Sequence, residues 1–195
     1  MVNKRFIRMV KIPNEPAARL LAAANARIVE KTGLPAIAGV AEVLEALDER
    51  DAHIDILRLL SVALPPRERV WWACLSARDI LSTGEGAVPL TLTAAEAWVR
   101  NPGDETKAAV RQALDAAPVH DDLSLCATAA VFADGTMGAG DLAKLPAPPG
   151  ASEAAVFAMN IMCIARCAKQ FEIEAERLID RAVDIAQGGN GKGRS

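Results

Sequence analysis

The chain has 195 residues, 51% of them apolar and 24% charged, and a formal net charge of −3. That length suits a single domain with a sizeable core, and the balance of apolar and charged residues excludes a disordered chain. The slight acidity leaves no electrostatic footprint for nucleic acid, whose phosphates need a basic face.

At the start, Lys4, Arg5, Arg8 and Lys11 alternate with Phe6, Ile7, Met9, Val10 and Ile12. The pattern predicts a short edge strand or a packed arm over residues 1–13. Its alternative use is docking on an acidic partner or a membrane surface. These charges interrupt any signal-peptide core, so a cytoplasmic location is expected. The longest nearly uncharged apolar run, Ala154 to Ala165, is too short to span a bilayer.

Asn14 suits an N-cap, with Glu15 and Pro16 in the first turn. The stripe Leu20, Leu21, Ala24, Ile28 and Val29 predicts a helix ending near Gly33-Leu34-Pro35. A second helix is expected from Ile37 to Leu47, and a third, capped by Asp51, through Ile54, Leu57 and Leu60 to Leu64. Pro65-Pro66 starts a fourth, which carries Trp71 and Trp72 and ends near Ser82. After the turn-rich Gly84 to Pro89, Thr93-Ala94-Ala95-Glu96 has the form of a capping box. It would open a short helix stopped by Asn101-Pro102. Asp104 caps a helix over Glu105 to Ala117, and another is expected from Leu123 to Ala133. The Gly- and Pro-rich stretch Asp134 to Gly150 predicts a surface loop. Ser152 and Glu153 then open an apolar helix to about Gln170. A final amphipathic helix presents Phe171, Ala175, Leu178, Ile179, Ala182, Ile185 and Ala186 on one side. Residues 188–195 are glycine-rich and expected to be a disordered tail. The expected fold is therefore all-α: a compact irregular bundle of about nine helices, one domain over residues 14–187.

The fourth helix poses the main functional question. It holds two of the three tryptophans side by side, in a chain with four phenylalanines and no tyrosine. Neighbours on a helix point about 100° apart, so both rings cannot centre on one apolar stripe. Val70, Cys74, Ala77 and Leu81 define that stripe, with Trp71 on its flank. Trp72 falls among Glu68, Arg69, Ser76 and Asp79, where either another element covers it or it anchors a partner. The expected partner surface is accordingly Trp72 with Glu68, Arg69 and Asp79.

A second reading is a ligand pocket near Asn160, Trp71 and Cys163, because an amide in an apolar helix needs a polar partner. The bland version is a structural hydrogen bond. A third uses Cys163 and Cys167, which share one helix face at i, i+4. A zinc site needs two further ligands, and Cys74, Cys126, His53 and His120 are not in ligand spacing, so core packing is the simpler use. His120-Asp121-Asp122 is explained by acids at a helix start. Gly135 to Gly140 lacks the strand and lysine of a phosphate cradle. No nucleophile motif, dinucleotide fingerprint or metalloprotease motif is present. Neither catalysis nor a cofactor is expected, and the chain is read as an adaptor, accessory or regulatory protein that binds another protein.

The segment Ala63-Leu-Pro-Pro-Arg-Glu-Arg-Val-Trp-Trp-Ala-Cys-Leu75 is followed by Ala94-Ala-Glu-Ala-Trp-Val99 with Asn101-Pro102. Then come Ala129-Ala-Val-Phe-Ala-Asp-Gly135, the Pro-rich loop, an apolar helix, and a last helix ending Asp184-Ile-Ala-Gln-Gly188. This order resembles an uncharacterised bacterial all-helical family, over roughly residues 50 to 188. The resemblance implies association with type VI secretion or related envelope-apparatus genes, and it brings no catalytic residues. The chain departs from the family where a Trp-Ser-Gly-Gly-like turn is expected, having Ala133-Asp134-Gly135-Thr136 instead.

Overall fold

The computed structural model describes residues 5–84, 87–167 and 170–192. The expectations for Lys4, for Glu85-Gly86, for the helix end at Ala168-Lys169 and for residues 193–195 lie outside the described residues. Nine α-helices lie within them: α1 (Ala17–Ala23), α2 (Val40–Asp48), α3 (His53–Ala63), α4 (Pro66–Ser82), α5 (Leu90–Arg100), α6 (Asp104–Asp115), α7 (Leu125–Val131), α8 (Ala151–Cys167) and α9 (Phe171–Ala186). Two 3-10 turns, Asp122–Ser124 and Gly140–Lys144, complete the order. Among the described residues there is no β-strand, only isolated bridges between Pro16 and Gly39 and between Thr136 and Pro146. No described helix is long and apolar enough to cross a membrane.

Helices α4 and α8 form the centre. The first packs against α5, α7, α8 and α9, and the second against α3, α4, α7 and α9. A helix with neighbours on several sides needs apolar or small residues all round. Residues Trp72 to Ala77 are accordingly buried in unbroken succession, including Ser76, which donates to Asn160 Oδ1 at 2.7 Å. Asn160 in turn donates to the Val156 carbonyl at 2.9 Å. This settles the buried amide as a structural contact between the two central helices.

Three local expectations differ from the structure, and a fourth is decided between its two alternatives. Helix α1 stops at Ala23, because Asn25 takes a positive φ of 48° and Val29 is left 82% exposed. The capping box at Thr93 is not formed. Helix α5 starts four residues earlier, at Leu90 with Pro89 before it, so Glu96 is free to take a paired hydrogen bond from Arg78. Of the two alternatives for the N-terminus, segment 5–12 is the packed arm and not the strand. Its Phe6 is buried, Lys11 N–H donates to the Ala186 carbonyl, and Gln187 Nε2 donates to the Ile7 carbonyl. Likewise Gly191 N–H donates to Asp184, so residues 188–192 fold back on α9.

The turn that departs from the resembled family has its own support. Lys107, 3% exposed at its side chain, donates to Asp134 Oδ1 at 2.5 Å and to Thr136 Oγ1 at 2.6 Å. Burial pushes the Asp134 carboxyl up, but the lysine and threonine bonds outweigh it and hold it below the ordinary range. At the loop's far end Gly150 has φ 77°, and a Cβ there would come within 1.9 Å of the Ala24 carbonyl oxygen, so only glycine fits that approach to α1.

Candidate functional site

The structure exchanges the roles of the two tryptophans. Trp72 is fully buried and is no partner anchor, because α4 is surrounded and its second face is also core. Its indole N–H has no partner among the described residues. The surface drawn around Trp72 does not exist as such. Arg69 is 8% exposed and pairs with Glu153, which fixes α4 to the start of α8. Glu68 pairs with Lys11 at 3.1 Å, and Asp79, about three turns further along α4, binds Arg177 and Arg181.

Trp71 is the tryptophan outside the core. It is half-buried, while Trp72 and Trp98 are buried. It lines a groove of about 320 Å³ with Lys11, Arg67, Glu68, Val99, Arg100, Ile185, Gly189, Asn190 and Lys192. The returning C-terminal segment forms one wall. Trp71 Nε1 donates to the Asn190 carbonyl at 2.8 Å, and Lys192 Nζ lies 5.5 Å from the ring centroid, a cation–π contact. None of these residues belongs to α8. The pocket expected from Asn160, Trp71 and Cys163 together is therefore not assembled: Asn160 and Cys163 are closed in the core, and Trp71 faces a separate groove.

Cys163 has acquired neighbours that spacing in the sequence does not reveal. Its Sγ lies 3.9 Å from Cys167 Sγ and 3.7 Å from Glu174 Oε1. Asp79 from the last turn of α4 joins them, so that one ligand atom each of Asp79, Cys163 and Glu174 lie within 4.8 Å of one another. Arg177 Nη2 donates to Asp79 Oδ2 at 2.7 Å and to Glu174, and Arg181 Nη1 donates to Asp79 Oδ2 at 2.5 Å. Burial pushes both thiols up, with the adjacent carboxylates adding to it. They are protonated at neutral pH and are poor nucleophiles. Cys74 is raised in the same way by its hydrogen bond with Cys126 and by burial.

A second polar cluster locks the N-terminal segment down. His53, 8% exposed at its side chain, bonds Glu176 Oε1 at 2.7 Å, and Arg5 reaches Asp48, Glu176 and Asp180. Burial alone would raise the Glu176 carboxyl, but the bonds from Arg5 and His53 outweigh it and hold it below its ordinary 4.5. A carboxyl lowered in the folded state stabilises fully above its unfolded value and stops doing so as pH falls through the folded one. Glu176→Gln is therefore expected to flatten the acid limb of stability against pH, measured by urea unfolding from about pH 6 to about pH 3. Because the Glu176 side chain is 41% exposed, the difference near neutrality is about 0.5–1 kcal/mol. An unchanged acid limb would mean that other carboxylates carry it.

A model described as a family of unknown function (DUF6931) matches residues 43–186, from within α2 to the end of α9. The chain belongs to this family. No curated protein and no solved structure matches it. The match takes in α4, α8 and α9 with both candidate sites, except for the flanking walls at Lys11 and residues 189–192.

Proposed function

We propose that this member of the DUF6931 family is a non-enzymatic adaptor or regulatory protein that takes an acidic segment of a partner protein in the Trp71 groove. One observation carries the reading. Lys11, Arg67, Arg100 and Lys192 surround a half-buried indole with Glu68 as the sole acid among the described residues of the groove, on a chain of net charge −3. Cations gathered against the sign of the whole protein favour an anionic occupant, and the indole with Val99 and Ile185 offers an apolar seat beside them. A peptide with an apolar side chain flanked by Asp or Glu satisfies both. The resemblance of the 63–75 and 94–102 landmarks to type VI-associated proteins supports a bacterial cytoplasm and a secretion-type apparatus as the setting.

The test is selection from a random peptide-display library, followed by titration of the selected peptide. Enriched sequences should carry acids around one apolar residue, and binding should weaken as salt screens the rim. Trp71→Ala should lower the affinity by about 2 kcal/mol, roughly thirtyfold, as for a central aromatic anchor. Arg100→Glu, at an exposed position, should select against acids. Equal binding by Trp71→Ala, or a basic consensus, rejects the groove.

A further inference from the structure

We infer that Cys163 of α8, Glu174 of α9 and Asp79 of α4, whose ligand atoms lie within 4.8 Å of one another, form a binding site for a thiophilic divalent cation, zinc the best fit, with Cys167 beside Cys163 turning in as the fourth ligand when the ion enters. The site stands apart from the Trp71 groove and does not depend on it. Zinc takes four ligands tetrahedrally, at about 2.3 Å from sulfur and about 2.0–2.2 Å from carboxylate oxygen. Those lengths place two sulfurs about 3.8 Å apart and a sulfur and an oxygen about 3.6 Å apart. Around Cys163 the separations are 3.9 Å to Cys167 Sγ and 3.7 Å to Glu174 Oε1, and Asp79 lies within 4.8 Å, while Cys167 stands outside that convergent trio and reaches the ion by a side-chain rotation. The i, i+4 cysteines supply half of a ligand set, and the tertiary fold adds the carboxylates that spacing lacks.

The charges are compatible. Asp79 and Glu174 are already balanced by Arg177 and Arg181. When the ion enters, two S–H bonds break, two sulfur–metal bonds form and two protons leave to water. One divalent charge replaces two protons, so the ligands and ion together keep the charge of the protonated ligands, and the site becomes one unit more negative only through the outward move of Arg177. Arg177 is the group that must give way, since its Nη2 lies 3.9 Å from Cys163 Sγ. Its side chain is 38% exposed and has room to swing outward. Arg181 keeps its bonds to Asp79, which orient that carboxylate from behind as an outer-sphere partner does. Two thiolates and two carboxylates are a mixed donor set that suits zinc, whereas calcium and magnesium want oxygen alone.

The full chain, stripped with a chelator, is titrated with cobalt(II) as a spectroscopic probe for zinc. One ion per chain should bind with thiolate-to-cobalt charge-transfer absorption and tetrahedral ligand-field bands, and zinc should displace it. Zinc alone should raise the melting temperature, because the ion ties α4, α8 and α9 together. Cys167→Ser, at a position that is not fully buried, and Glu174→Gln should each lose the absorption and the zinc-dependent melting shift while keeping the wild-type circular dichroism. Arg177→Gln should lower the zinc concentration needed for half saturation, a change that a purely structural arginine would not produce. Absence of charge-transfer absorption in the wild type overturns the site. So does absorption that survives in Cys167→Ser and Glu174→Gln, which would assign the metal to other thiols.

Discussion

Trp72→Ala lowers the stability of the chain by about 3–5 kcal/mol, the range for removing a large aromatic from a packed core. The ring is completely buried on the central helix, with neighbouring helices on several sides, so no single shift closes the space it leaves. For a chain of this size the melting temperature should fall by roughly 10 °C or more. Thermal and urea unfolding monitored by circular dichroism check both figures. Trp72→Phe should recover most of the loss, because the indole N–H makes no hydrogen bond among the described residues and an apolar ring gives up nothing polar. Trp71→Ala should cost about 1 kcal/mol or less, the half-buried ring losing one hydrogen bond to Asn190 and part of its apolar contact. Equal losses for Trp71→Ala and Trp72→Ala would reverse the division of labour between the adjacent indoles.

Glu153→Ala should be the most damaging change to a charged residue. Arg69 is 8% exposed, and Glu153 is its ion-pair partner. Burial pushes the guanidinium down to about 10, so it is still protonated at neutral pH and cannot shed its charge. Its Nε has no partner among the described residues, so losing Glu153 leaves a cation inside the protein with little to satisfy it. Breaking a buried pair from one side costs about 3 kcal/mol or more. Replacing both ends, Arg69→Met with Glu153→Leu, should restore most of that stability, because two apolar side chains remove the desolvation penalty along with the attraction. A double-mutant cycle by urea denaturation measures the coupling. A double variant no more stable than Glu153→Ala would show that the site tolerates no apolar filling, and that packing rather than charge sets the loss.

Helix identity was legible in the chain wherever local chemistry is strong. Pro65-Pro66 marks the start of α4, since proline suits a first turn and nothing further in. The alternating apolar and charged faces of residues 171–186 mark α9. Boundaries failed where a tertiary contact competes with propensity. Thr93 and Glu96 have the spacing of a capping box, but Arg78 on α4 claims the Glu96 carboxylate, and α5 extends back to Leu90. The stripe through Ile28 and Val29 predicts more helix, but Asp55 accepts from the amides of Val29 and Glu30 at 2.8 and 2.7 Å, and the segment runs as loop.

The candidate sites follow the same division. Trp71, Cys163 and Cys167 stand out on local grounds, as a rare residue type or as a helical pair, while Glu68 and Asp79 entered only as neighbours of Trp72. The residues that complete the sites come from distant segments, Glu174 and Arg177 on α9 for the thiol cluster, and Arg100 with Lys192 for the groove. By itself the sequence determined the all-helical class, the amphipathic last helix and the fact that one of two adjacent tryptophans needs a separate explanation. Only the tertiary structure decided which one. Periodicity describes a helix against one neighbour, while α4 is packed on several sides; its supposed outer face became core, and the exposed edge fell at Trp71.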